Sequence, residues 1–460
     1  MATRRFYLFA WACLSVPGLA GAGAPLTALE DLGKQLFFDP QLSSPAGQSC
    51  ASCHSPDAAF TDPRRDKPTS PGVVAGRFGN RNSPTAMYAA FSPLFHLDSA
   101  GGYTGGLFWD GRAANLENQA QGPLLNPLEM ANPDKAAVVE KVRKASYAPL
   151  FESVFGVGAL SQAEPAYAMV AAALAAFERS PVFSPFDSKY DAYLAGQTKL
   201  TAAEQRGLAL YEDPAKGNCA ACHPSRPAPD GTPPLFTDFS YDNLGVPRNP
   251  DNPFYALPAE FNPDGLNFVD QGLGQVLGRH EQDGQFKVPT LRNIALTAPY
   301  MHNGYFKTLR GVVDFYNTRD VKPACQYPMT TEGDALRQAC WPQVETPANV
   351  NREELGNLRL SASEVDDLVA FLGTLSDGYW QSPALRECLF NWAEGAYAGL
   401  FAPAGAASQT QAPYTYRYYK DTQAYVGVSA DSNQVYYQGP DGVLQDVGDL
   451  PAWLGKAGCL

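Results

Sequence analysis

Histidine is scarce in this chain: there are five in 460 residues, His54, His96, His223, His280 and His302. Few positions can therefore offer an imidazole to a metal. Positive charge is also in short supply. Lys and Arg total 34 against 47 Asp and Glu, and the net charge of −13 argues against nucleic acid as a partner. Beyond the N-terminus no apolar run is long enough to span a membrane. What remains, 45% hydrophobic and 18% charged, describes a globular protein with cores for two or three domains.

The N-terminus is the one long apolar stretch. Arg4 and Arg5 precede an apolar segment from Phe6 to Val16, and Ala20-Gly21-Ala22 offers a small-residue cleavage site. Residues 1–22 thus read as a secretory signal, which in a bacterium means the periplasm. Cys13 lies inside it, with Ala10 where a lipid-attachment signal needs a Leu-like residue, so no lipid anchor is expected.

Eight cysteines follow the signal. Four fall in Cys50-Ala51-Ser52-Cys53-His54 and Cys219-Ala220-Ala221-Cys222-His223. C-x-x-C-H is the attachment signature of c-type haem: two thiols add to the porphyrin vinyl groups and the adjoining imidazole takes the iron. A redox dithiol or half a zinc site would also use C-x-x-C, but neither requires the following His. Two complete copies in a secreted chain point to two covalent haems. Cys325, Cys340, Cys388 and Cys459 remain, an even number that suggests two disulfides. Nearness in sequence favours Cys325–Cys340 and Cys388–Cys459.

Each haem motif is preceded by the same pattern, G-x-x-L-aromatic-x-D-P. It occupies Gly33 to Pro40 and again Gly207 to Pro214. Both copies read as short helices ending before proline. Thr201 and Glu204 form a capping box for the second. Ser161 with Glu164, and Ser361 with Glu364, read as capping boxes of two later closing helices. Helix, haem motif, loops and closing helix make a cytochrome c-like plan, expected twice, over 26–185 and 186–380. The Pro-, Asp- and Asn-rich stretch 224–260 reads as haem-covering loop. The fold class is therefore mainly α.

Residues 381–460 differ. Tyr414 to Tyr419, Ala424 to Ser429 and Gln434 to Gln438 predict a three-stranded antiparallel meander, with a turn at Gly439–Gly442 and a closing helix near Asp449 to Leu454. A Cys388–Cys459 bridge would staple this small accessory module. Its tyrosines read as packing rather than an electron relay.

Longer motifs carry a family resemblance. Leu107-Phe108-Trp109-Asp110-Gly111-Arg112-Ala113, followed by Gln119, Pro123 and Glu129-Met130, resembles the first domain of bacterial di-haem cytochrome c peroxidases and of MauG. Phe286 to Asn293 and Leu296 to Gly304 resemble the second-domain core, so the likeness runs from about 30 to 377. It implies a peroxidase that binds hydrogen peroxide at the first haem and draws electrons from a periplasmic donor protein or a protein substrate through high-valent iron. His54 and His223 become proximal ligands. No His is placed to be the sixth ligand of the first haem, so that site is expected open.

The resemblance also implies roles by position. Tyr316 stands where ordinary peroxidases of the family place a Met ligand to the second haem and MauG a Tyr. An anionic phenolate favours ferric and higher iron, whereas a thioether favours ferrous. Met301 is the rival ligand. Glu129 and Gln119 match distal-pocket residues, Glu129 as acid/base for peroxide cleavage and Gln119 as its hydrogen-bonding partner. Trp109 matches the tryptophan between the haems. Asn82, Thr297 and Pro299 match ligands of one calcium ion, a hard cation suited to oxygen. The alternatives are peroxide detoxification with a small cytochrome or cupredoxin donor, and a non-catalytic electron-transfer cytochrome. Retained acid/base groups argue against the last.

Overall fold

A computed structural model gives the fold of residues 25–459, apart from 100, 397–400, 402–407, 412–413, 420–421, 430–432 and 440–442. The expected signal at 1–22, with Cys13, lies outside the described residues, as does most of the Gly439–Gly442 turn. The protein is mainly α, with a small five-stranded antiparallel sheet near its end.

The repeated pattern builds the same corner twice. The helix Ala28–Phe38 is opened by a Thr27/Glu30 capping box, and Ala202–Glu212 by the expected Thr201/Glu204 box. Both stop at aspartates that precede proline. The Asp39 carboxylate accepts the Gln41 amide and Asp213 accepts the Ala215 amide, each at 2.8 Å, so the Asp turns the chain where proline forbids further helix.

Each opening helix crosses a closing one, Ala163–Glu178 or Ala362–Gly373. The glycine of the pattern sits at the crossing. A Cβ on Gly33 would lie 1.9 Å from the Ala173 carbonyl oxygen, and one on Gly207 would lie 2.0 Å from that of Asp367. Only glycine permits such an approach. The aromatic of the pattern then packs edge-on against the closing helix: Phe37 on Phe177 at 5.5 Å and Tyr211 on Phe371 at 5.0 Å.

One closing helix starts differently from expectation. Ser361 and Glu364 do cap Ala362–Gly373. The helix Ala163–Glu178 instead begins after Gln162 without a side-chain cap. Glu164 is drawn away by Lys135, whose ammonium reaches it at 2.6 Å.

The C-terminal sheet has five strands rather than three: Ser408–Gln411, Tyr414–Tyr419, Ala424–Ser429, Gln434–Gln438 and Leu444–Asp449, paired in sequence order. The two edge strands escaped the sequence reading because neither alternates. Ser408–Gln411 is polar and exposed throughout, and Leu444–Asp449 carries two aspartates and a glycine. The inner face, with Tyr419, Val426, Val428 and Val435, shares a core with the helix Pro383–Ala396 and the closing helix Leu450–Ala457. Arg417 is buried beneath it and pairs with Glu394 at 2.7 Å. The tyrosines divide between the faces: Tyr419 and Tyr437 pack inward, whereas Tyr414, Tyr416, Tyr418, Tyr425 and Tyr436 alternate onto the outer face. Both disulfides form as nearness suggested, Cys325–Cys340 and Cys388–Cys459.

Candidate haem sites

The two C-x-x-C-H segments fold alike. Cys50–Ser52 and Cys219–Ala221 are single 3-10 turns, and the His54 and His223 amides each donate to the first cysteine's carbonyl at 2.9 Å. The four thiols are half-buried and unpaired. Burial pushes Cys53 up to about 11, with the Asp62 carboxylate adding to the effect, and Cys219 and Cys222 up to about 12. Neutral thiols in an apolar wall suit conversion to thioethers.

The histidines are oriented identically. His54 Nδ1 meets the Phe60 carbonyl at 3.0 Å, and His223 Nδ1 meets that of Phe236 at 2.7 Å. With the proton on Nδ1, as a carbonyl acceptor requires, Nε2 keeps its lone pair for a metal. Burial holds both imidazoles below their usual pKa, which keeps them in the ligating form. Phe60 and Phe236 both take φ of +53°, so their carbonyls turn toward the rings. This second repeat, Phe-Thr-Asp at 60–62 and 236–238, was missed in the sequence. Its threonines bind backbone carbonyls across each site, Thr61 that of Ser83 at 2.6 Å and Thr237 that of Val288 at 2.7 Å. The signal was present as the same tripeptide after each motif, though at different intervals, Phe60 being 6 residues beyond His54 and Phe236 13 beyond His223.

A cavity of about 260 Å³ opens on the second motif. Cys219, Cys222, His223, Trp109, Met301 and Tyr316 all line it. Tyr316 projects from the helix Leu309–Thr318, which Thr308 caps through the Gly311 amide at 3.0 Å. Burial lifts the Tyr316 phenol well above its usual pKa, and the Cys219 and Cys222 thiols add to that. A bound cation would be needed to draw off its proton. Lys287 lines the same cavity, and burial pushes it down to about 8. No carboxylate among the described residues meets its ammonium. A largely apolar cavity with two thiols, the oriented His223 imidazole and an ammonium without an ion-pair partner fits a c-type haem, which brings carboxylates of its own.

Trp109 donates from Nε1 to the Asn82 carbonyl at 2.9 Å. Asn82, Thr297 and Pro299 line the same cavity. No group of three or more His, Cys, Asp or Glu among the described residues is placed to hold a metal.

Glu129 occupies a second pocket of about 270 Å³, with Phe108, Arg112, Ala113, Asn118, Pro123 and Asn126 around it. Burial raises its pKa, against a 2.6 Å hydrogen bond from Asn126 and the charge of Arg112. Its charge adds a little to the rise of the Cys50 and Cys53 thiols, which burial dominates, so it stands within electrostatic reach of the first motif. Gln119 stands half-buried on the helix Leu116–Leu125, and Asn118 rather than Gln119 lines the pocket. His96 and His280 are exposed, remote from both motifs in their contacts. His302 is buried and stacked on Phe286 at 3.6 Å, on the wall of the larger cavity.

Two equivalent attachment sites, each with an oriented histidine, define a di-haem c-type cytochrome. The family model described as di-haem cytochrome c peroxidase matches residues 27–199. The chain is 44% identical to the methylamine utilization protein MauG of Paracoccus denitrificans over 368 residues, 78% of this chain and 91% of that protein. It is also similar to the crystal structure of the diheme peroxidase BthA from Burkholderia thailandensis. The TM-score is 0.64 at 35% identity, covering 77% of this chain and 87% of that one. A MauG-like protein associated with microbial copper homeostasis superimposes with a TM-score of 0.56 at 31% identity, covering 80% and 96%. The chain belongs to the di-haem cytochrome c peroxidase family, and is a haem-dependent oxidoreductase with two c-type haems. No helix among the described residues is long and apolar enough to cross a membrane.

Proposed function

We propose that this chain is a periplasmic di-haem peroxidase of the MauG-like branch, oxidising an external electron donor or a partner protein at the expense of hydrogen peroxide. The observation that carries the reading is Tyr316 on the wall of the cavity that holds Cys219, Cys222 and His223. The division follows the two repeated corners: 26–185 around the peroxidatic site, 186–380 around the electron-transfer site, and 381–460 as an accessory module.

Cys50 and Cys53 hold the first haem, with His54 as iron ligand. Cys219 and Cys222 hold the second, with His223 and Tyr316. When bound, the haems supply iron that exchanges electrons with peroxide and with the donor. The rest falls to side chains. Glu129, whose burial raises its pKa and so strengthens its carboxylate as a base, takes a proton from one peroxide oxygen and returns it to the other. Gln119, on the helix Leu116–Leu125, is assigned the hydrogen-bonding role in that step. Trp109 couples the two sites, its indole fixed by the Asn82 carbonyl. The oxygens of Asn82, Thr297 and Pro299 are assigned to a calcium ion, with water completing the shell of about 6–8 ligands that calcium takes.

Met301 favours the second reading, an ordinary cytochrome c peroxidase with a small cytochrome or cupredoxin donor, because it lines the same cavity. Redox potentiometry separates the two. Tyr316→Met should raise the potential of the second haem, since a neutral sulfur replaces an anionic oxygen. An unchanged potential would remove Tyr316 from the iron.

A further inference from the structure

The C-terminal module concentrates oxidisable side chains. Two of the chain's six tryptophans, Trp392 and Trp453, lie there with Trp380 at its border, and the outer face of its sheet carries five tyrosines. Tyr418 and Tyr425 are directly opposed across neighbouring strands, with ring centroids 4.5 Å apart. Cross-strand aromatic pairs stabilise sheets, and packing alone would explain a pair. It does not explain what lies behind this one.

Aromatic side chains stand in two stretches between the module and the cavity of the second motif, with Thr198 and Ala192 between the stretches. Tyr419, next to Tyr418, shares the module's buried core with Trp380, and Trp380 lies 4.9 Å from Tyr379. Tyr379 meets Thr198 through their hydroxyls at 3.0 Å. Ala192 of the helix Lys189–Leu194 packs into the same core. On that helix Tyr190 and Tyr193 stand 5.9 Å apart and join the core of the second half. Tyr190 and Tyr211 both contact Phe371, at 5.4 and 5.0 Å. Tyr211 lines the cavity and donates its hydroxyl proton to the His223 carbonyl at 2.6 Å.

We propose that the two stretches together carry electrons inward from the Tyr418–Tyr425 pair, making the module an internal electron donor when no external donor is bound. The proposal rests on the peroxidase reading, since hydrogen peroxide is the oxidant. Each peroxide breaks its O–O bond, takes up two electrons and two protons, and leaves as two waters. Two tyrosines each lose one electron and one proton. The resulting phenoxyls join through a ring carbon–carbon bond, and ring hydrogens shift to oxygen to restore the phenols. The net product is one dityrosine per peroxide.

The test uses the full haem-loaded chain. One equivalent of hydrogen peroxide is added without a donor, and digested peptides are mapped by mass spectrometry and dityrosine fluorescence. The expected product is a Tyr418–Tyr425 cross-link, lost in Tyr418→Phe and reduced severalfold in Tyr190→Phe. Peroxide consumption with ferrocyanide as donor should be unchanged in Tyr418→Phe. Consumption with ferrocyanide but no cross-link in the wild type would overturn the proposal and leave the peroxidase reading standing. An undiminished cross-link in Tyr190→Phe would overturn the route, since oxidation would then come from solution. No peroxide consumption at all would overturn both.

Discussion

Asn126 donates a 2.6 Å hydrogen bond to the Glu129 carboxylate in the pocket lined by Phe108, Arg112 and Pro123. Burial raises the Glu129 pKa and this hydrogen bond lowers it, so Asn126 sets how far the rise goes. Glu129→Gln should slow peroxide consumption by ~10²–10⁴-fold, the usual worth of a positioned acid/base, with both haems retained. Asn126→Ala should move the ionisation of Glu129 to higher pH. Stopped-flow peroxide kinetics across pH read both effects, and unchanged rates in Glu129→Gln would exclude it from the chemistry.

Haem content follows from the two equivalent turns. Intact mass of the denatured wild-type chain should include two porphyrins, because thioether bonds survive unfolding. Cys219→Ala should give protein whose second haem is lost or no longer doubly linked, while the first remains. A single haem in the wild type would contradict the paired geometry of His54 and His223.

Stability should depend on pH through Asp377. Burial lifts its pKa from 3.8 to about 6; Arg292 opposes the rise and Asp187 adds to it, while hydrogen bonds from Asn293 and Tyr88 hold it down. The folded pKa lies above the unfolded one. The contribution to stability is therefore complete below about 3.8 and is lost as pH rises through about 6. Relative to Asp377→Asn, which does not titrate, the wild type should lose about 1–3 kcal/mol between pH 4 and 7. Denaturant unfolding of both proteins at the two pH values measures the difference.

The Cys388–Cys459 bridge closes a long loop, with a sequence separation of 71. Replacing both cysteines by serine should destabilise the C-terminal module by about 4 kcal/mol on the chain-entropy account. The haem spectra should not change, because the bridge touches neither motif. Proteolysis confined to residues beyond about 381 would be the visible result.

Much of this was legible in the sequence because the chain repeats itself. The haem motifs, the G-x-x-L-aromatic-x-D-P helices and the Cys325–Cys340 bridge depend on local spacing, and spacing survives folding, whereas Cys388–Cys459, at a separation of 71, was the pair left over. The edge strands Ser408–Gln411 and Leu444–Asp449 were not legible, since backbone hydrogen bonds rather than side-chain alternation hold them. The Ala163–Glu178 start was misread because Lys135, distant in sequence, takes the glutamate that would have capped it. Phe60 and Phe236 act through carbonyls, which side-chain chemistry does not advertise. The tyrosines of the sheet could be assigned to a face only once the register was known. Asn118, rather than the expected Gln119, takes the place on the pocket wall.

The central claim is that Tyr316, not Met301, completes the second haem site. Both line the same cavity, so ligand spectroscopy on the unmodified ferric protein decides between them. Near-infrared magnetic circular dichroism with EPR should show a low-spin centre with histidine and oxygenic ligands, beside a high-spin centre from the first haem. A sulfur-to-iron charge-transfer band would contradict the account and place the protein among the ordinary cytochrome c peroxidases.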